Sequence, residues 1–127
     1  MNDVKSWEEV RQMIETFNKP NERKIAYEIF NYANSLADVT YYITDGIMFK
    51  RDNRKYKFLS ISTKGSRVLF HVPVTERDSV FEEFRNFAPI YLAVDKRDKN
   101  QIDILLRDIN SFNDIKPLID YAYSHRE

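Results

Sequence analysis

Apolar residues change period twice along this chain, and that pattern limits the possible folds more than any other feature. Trp7, Val10, Ile14 and Phe17 recur at helical spacing. Ser6 and Glu9 ahead of them form a capping box, in which each side chain can satisfy a free backbone N–H of the first turn. The spacing predicts a helix over 7–17, broken by Asn18-Lys19-Pro20-Asn21. A second helix over 21–37 carries Ile25, Ala26, Ile29, Phe30, Ala33 and Leu36 on one face.

From Val39 the period falls to two. Val39 to Thr44 is β-branched and aromatic, and Asp45-Gly46 is a turn dipeptide. Ile47 to Arg51 is then either a separate strand or a continuation past a bulge at Gly46. Asp52-Asn53 leads into an expected strand over Lys55 to Thr63, where Lys57, Leu59, Ile61 and Thr63 alternate with Tyr56, Phe58, Ser60 and Ser62. Lys64-Gly65 turns the chain back through Arg67 to Val72, giving an antiparallel meander. Helical spacing returns after Thr75 and Asp78, with Val80, Phe81, Phe84 and Phe87. Strands follow at Ile90 to Val94 and Gln101 to Arg107, and Ser111 with Asp114 caps a last helix bearing Ile115, Leu118, Ile119 and Ala122.

The expected architecture is α+β: an antiparallel sheet of five to six strands, in the order ααβββ(β)αββα, with helices packed on the sheet. Each apolar stripe needs a covering partner, and this arrangement supplies one. Residues 1–127 read as a single domain, with 1–20 as an N-terminal helical extension and 21–127 as the core. An aromatic fraction of 14% within 43% apolar residues is too much large apolar surface for a disordered chain.

Absence of cysteine excludes disulfides, thiolate zinc sites and a cysteine nucleophile. It fits a reducing cytoplasm. The first residues lack the apolar stretch of a signal peptide, and no window approaches the run of about 18 apolar residues that spans a membrane. The expected location is therefore cytoplasmic, with no membrane partner.

Formal net charge is zero, yet it is unevenly spread. Residues 46–75 hold seven Lys or Arg against Asp52 alone, a net +6, between two segments of −3 each. Phe49-Lys50-Arg51, Arg54-Lys55-Tyr56-Lys57 and Lys64-Gly65-Ser66-Arg67 interleave cations with rings. Cations attract phosphates and exposed rings stack on bases, so Lys50, Arg51, Arg54, Lys55, Tyr56, Lys57, Lys64 and Arg67 are the candidate binding residues. The competing reading is a solvated edge, because lysine on an edge strand guards against sheet-to-sheet aggregation.

Catalytic chemistry is sparse. His71 shares a strand face with Leu69, and a triad with Ser60 or Ser62 and with Asp45 or Asp52 can be drawn, but no nucleophile-elbow motif supports it. A strand histidine with one hydrogen-bond partner is the simpler reading. Asp98, Asp103 and Asp108 can be drawn together as a divalent-metal site, since hard cations take carboxylate oxygens, but Asp103-Ile104-Leu105 supplies no lysine beside the acids as a nuclease-like arrangement would, and the chain has only Gly46 and Gly65 for a phosphate loop. No cofactor, metal or catalytic residue is expected.

The stretch from about Glu22 to Arg126 resembles a family recorded as domain of unknown function 5655. The likeness is in element order: a helix, a Tyr-rich approach to Gly46, Ile47-Met48-Phe49-Lys50-Arg51, strands at Tyr56-Lys57-Phe58-Leu59-Ser60-Ile61 and Val68-Leu69-Phe70-His71-Val72, a late strand and a closing helix. More distantly it is similar to the YdhG-like domains, small α+β proteins with a helix–meander–helix plan. Members of the first family occur as C-terminal modules of predicted nucleases and restriction-associated proteins. The resemblance thus implies a role accessory to a nuclease or defence system, and it supplies no catalytic residues. The expected function is a non-enzymatic module that contacts nucleic acid, or an acidic protein, through the basic meander. The alternative is a protein-interaction or homo-oligomerisation domain, favoured by the many tyrosines. A metal-dependent hydrolase is the weakest reading.

Overall fold

The computed structural model describes residues 4–85, 92–94 and 96–127, with side chains from Trp7 onward. Two helices, α1 (Val4–Glu15) and α2 (Pro20–Ser35), precede four strands, β1 (Val39–Ile43), β2 (Gly46–Arg51), β3 (Leu59–Ser62) and β4 (Arg67–His71). Helix α3 (Arg77–Arg85), strands β5 (Ala93–Val94) and β6 (Gln101–Leu105), two 3-10 turns (Leu106–Asp108 and Phe112–Asp114) and helix α4 (Lys116–His125) complete the chain. The strands form one antiparallel sheet in the order β1-β2-β3-β4-β6-β5. The α+β expectation therefore holds, with six strands.

Register explains where the core sits. Tyr41, Phe49, Leu59, Phe70 and Ile102 pair in one row across five strands, and Ile43, Ile47, Ile61, Val68 and Ile104 in the next. Side chains in a strand alternate between faces, so both rows point the same way. They pack with Ile25, Ile29 and Phe30 of α2, Val80 and Phe84 of α3, and Leu118, Ile119 and Ala122 of α4 in one apolar core. Burying each large side chain there contributes roughly 1.5–3 kcal/mol. Val10, Ile14 and Phe17 belong to the same core, so the first helix is part of the domain rather than an extension of it.

The opposite face of the sheet carries Met48, Ser60, Leu69 and Asp103 in one row and Ser62, Arg67 and Leu105 in another. None of these belongs to the helix-covered core.

Several boundaries differ from expectation for physical reasons. Helix α1 already runs at Val4, which puts Ser6 inside the first turn rather than at its cap. Val80 N–H bonds to Glu76 O, so α3 is entered at Glu76 and not at Thr75. Ser111 does accept from Asn113 N–H, yet it caps the 3-10 turn that precedes α4. The strand expected from Gln101 to Arg107 ends at Leu105, where a 3-10 turn begins. The strand expected over Ile90 to Val94 is seen at Ala93–Val94; Phe87, Ile90 and Tyr91 lie outside the described residues.

Tyrosines fasten helix to helix at the edge of the core. Tyr27 of α2 donates to Glu15 of α1 at 2.6 Å, Tyr32 of α2 to Asp120 of α4, and Tyr121 of α4 to Glu76 before α3. Burial, followed by the bond to Glu76, pushes the Tyr121 hydroxyl up to about 12.

Candidate polyanion-binding loop

The connection between β2 and β3 is where the meander departs most from a regular ladder. Phe58 N–H bonds to Phe49 O at 2.9 Å, while Leu59 is the residue paired with Phe49. Two consecutive residues thus oppose one, the arrangement of a β-bulge. Both Phe58 and Leu59 are buried, and the Phe58 ring meets Tyr123 of α4 edge-on at 5.5 Å. Upstream, Tyr56 N–H bonds to Glu127 O at 2.8 Å instead of to a strand. The strand expected from Lys55 therefore starts at Leu59, and Lys55, Tyr56 and Lys57 stand in a loop packed against the chain that leaves α4.

Cations of this loop are held by backbone carbonyls. Lys50 Nζ donates to Arg54 O at 2.8 Å and to Arg51 O at 3.1 Å. The Arg51 guanidinium lies 4.3 Å from the Tyr123 ring centre and donates to Tyr123 O at 3.2 Å; its Nε is buried without a partner. Arg54 donates to Arg126 O at 2.7 Å, and Arg126 in turn donates to Lys57 O at 3.1 Å. Two arginines thereby serve carbonyls of α4 and of the residue after it, where a helix leaves acceptors unsatisfied and carries partial negative charge. Tyr56 is 44% exposed, with Lys55 Nζ 5.3 Å and Arg126 Cζ 4.8 Å from its ring centre. Lys55 is exposed and Lys57 half-buried.

Lys64 and Arg67 are not part of this assembly. They flank Gly65 and Ser66 in the turn at the other end of β3, where Gly65 takes φ +83°, a conformation that suits a residue without Cβ. Arg67 is neutralised by Asp103 at 2.8 Å. The expected eight-residue set is thus divided: Lys50, Arg51, Arg54, Lys55, Tyr56 and Lys57 converge, while Lys64 and Arg67 sit apart. Arg126 joins the first group, and nothing in its local sequence marked it.

Neutral carbonyls anchor a cation without cancelling its charge, whereas a carboxylate does both. Among the described residues, the ion pair at this end is Arg126 with Glu127 at 3.4 Å. His71 lies near enough to this cluster to feel the charges of Lys57 and Arg126. Its ring is 4% exposed on the face away from the helices. Burial first, then the charges of Lys57 and Arg126, hold it down to about 3.

The acid–base possibilities resolve simply. Ser60 Oγ and His71 Nε2 share a hydrogen bond of 3.0 Å, but Ser60 is 0% exposed and no substrate can reach it. Asp52 accepts from Thr40 and Asp45 from Thr44, and neither is bonded to the histidine. Among the described residues, no cluster of three or more His, Asp or Glu side chains is arranged to hold a metal ion. No helix is long and apolar enough to cross a membrane among those residues. Compared with known proteins, the chain matches no protein-family model, no curated protein and no solved structure.

Proposed function

We propose that this chain is a non-enzymatic binding module that takes a polyanion, single-stranded nucleic acid foremost, on the loop between β2 and β3. The observation that carries the reading is Tyr56, an exposed ring between two cations at a cluster whose charge the fold leaves largely uncancelled. A ring in that setting suits a base, since stacking on an aromatic side chain contributes roughly 1–3 kcal/mol per base whatever the sequence. Phosphates would be held by Lys55 and Lys57, with Arg54 and Arg126 lending fixed charge behind them. Arg51 is more deeply engaged with Tyr123 and acts as a support.

Fluorescence anisotropy with a labelled single-stranded oligonucleotide tests this at low salt. Tyr56→Ala should weaken binding by roughly 5- to 150-fold, following the stacking energy, and Tyr56→Phe should restore most of it. Absence of binding at low salt, or equal affinity for Tyr56→Ala, would overturn the reading.

Self-association is a second reading, favoured by β1. This edge strand, Val39-Thr40-Tyr41-Tyr42-Ile43, contains no charged residue, although edge strands are commonly protected by charge. Light scattering at high concentration decides it: a strict monomer counts against pairing through β1.

A further inference from the structure

The face of the sheet that the helices leave uncovered continues the surface of the basic loop. Tyr42 pairs with Met48 and Thr40 with Lys50, so Tyr42, Met48 and Lys50 point to this face, opposite the core row of Tyr41 and Phe49. Lys50 also reaches the loop itself, with Nζ 2.8 Å from Arg54 O and 3.1 Å from Arg51 O. One cation therefore stands where loop and open face meet. From Arg51, the last residue of β2, back to Met48 is about 10 Å at about 3.3 Å per residue. Tyr42 lies beside Met48 on the neighbouring strand. That span takes about three nucleotides at a stacked spacing of about 3.4 Å.

Tyr42 is the informative residue. It is 42% exposed, close to the 44% of Tyr56. Tyr27, Tyr32, Tyr121 and Tyr123 donate their hydroxyls to Glu15, Asp120, Glu76 and Ala37 O, and Tyr41 is buried edge-on to Phe30. Among the described tyrosines, Tyr42 and Tyr56 alone are exposed. Beside Tyr42 the row continues through Met48, Ser60 and Leu69, an uncharged strip. Two carboxylates border it. Asp103 beyond Leu69 is paired with Arg67 at 2.8 Å, and Asp52 is bonded at 2.6 Å to Thr40, the residue opposite Lys50. An exposed ring on an uncharged strip, next to a cation that bridges to the loop, suits the next base of a strand whose phosphates that loop holds. Stacking on such a ring tolerates any base, because every base has a π-face.

We infer that a single strand held at the Tyr56 loop runs across the open face of the sheet and stacks a further base on Tyr42. This path rests on the loop being a polyanion site, and it extends that site from one stacked base to two, with Lys50 at the junction. A lone nucleotide fills the loop only, so the sheet face selects for length.

The test is an NMR titration of the whole chain with single-stranded trithymidylate and octathymidylate, on the parent, Tyr42→Ala, Tyr42→Phe and Tyr56→Ala. The octamer should shift the amides of Tyr42, Met48 and Leu69 together with those of residues 54–57, whereas the trimer should shift the loop amides alone. Tyr42→Ala should weaken octamer binding by roughly 5- to 150-fold, the range for one stacked base, and leave the trimer unchanged. Tyr42→Phe should restore most of the octamer affinity. The salt slope should be the same for the parent and Tyr42→Ala, because no phosphate contact is lost. Tyr56→Ala should weaken both lengths. Equal octamer affinity for the parent and Tyr42→Ala, with Tyr56→Ala still impaired, would overturn the path across the sheet and leave the loop as the site. An equal loss for both lengths in Tyr42→Ala would overturn it as well, since the ring would then act through the shape of the loop. No binding of either length by the parent would overturn path and loop together.

Discussion

Acidification should destabilise this protein through His71, a ring kept neutral first by burial and then by the charges of Lys57 and Arg126. The ring is enclosed and neutral in the folded state, with its pKa held down to about 3 against an ordinary 6.5. The unfolded chain therefore takes up a proton at this position while the folded chain does not. Stability contributed in this way is fully present above pH 6.5 and is lost as pH falls from 6.5 towards 3. Linkage gives a loss of about 2 kcal/mol between pH 7 and pH 5, and about 4 kcal/mol by pH 3. With a urea dependence of about 2 kcal/mol per molar, the midpoint should fall by about 1 M between pH 7 and pH 5. Carboxylates add their own pH dependence, so the comparison needs His71→Gln, which keeps an acceptor for Ser60 and carries no titrating proton. That variant should lose about 2 kcal/mol less than the parent over the same interval. Proton NMR of the ring gives an independent reading, and Lys57→Gln should raise the His71 midpoint because a repelling charge is removed. A folded-state midpoint near 6.5, or identical pH dependence in parent and variant, would refute the reasoning.

Two further outcomes follow from packing. Gly46→Ala should destabilise the domain by about 2–4 kcal/mol and lower Tm by about 10 °C, read by thermal unfolding. A Cβ at Gly46 would stand 2.6 Å from Ile61 O, a backbone atom of the neighbouring strand that has no rotamer with which to move aside. Arg51→Gln should loosen the last turn of α4 by about 1–2 kcal/mol, because it removes the charge over Tyr123 and the charged bond to its carbonyl. Hydrogen exchange should show faster exchange confined to the amides near residues 122–126, and unchanged protection there would contradict the capping role.

Helix faces and the meander were readable because they rest on local rules. Ile25, Ala26, Ile29, Phe30 and Ala33 keep helical spacing and are buried, and the turns at Asp45-Gly46 and Lys64-Gly65 separate paired strands. Strict alternation carried back to Lys55 predicts a strand where the structure has the loop between β2 and β3. Phe58 and Leu59 are adjacent apolar residues, and that break in alternation was the available sign of a bulge. No local pattern announces that Tyr56 bonds to Glu127, or that Arg51 and Arg54 reach the end of α4. Those partners are some 70 residues away in sequence, as the separations of 72 for both arginine bonds illustrate. Charge counting located the basic segment but not its division, since Arg67 meets Asp103 only through the β4–β6 pairing.

Affinity for a short single-stranded oligonucleotide as a function of salt tests the central claim most directly. Engagement of three to four phosphates by the loop cations predicts a slope of log K against log salt of about −2 to −3, at about −0.7 per phosphate for single strands. Lys55→Gln with Lys57→Gln should flatten that slope by about 1.4. A slope near zero, or one that the double variant leaves unchanged, would contradict binding through the Tyr56 loop.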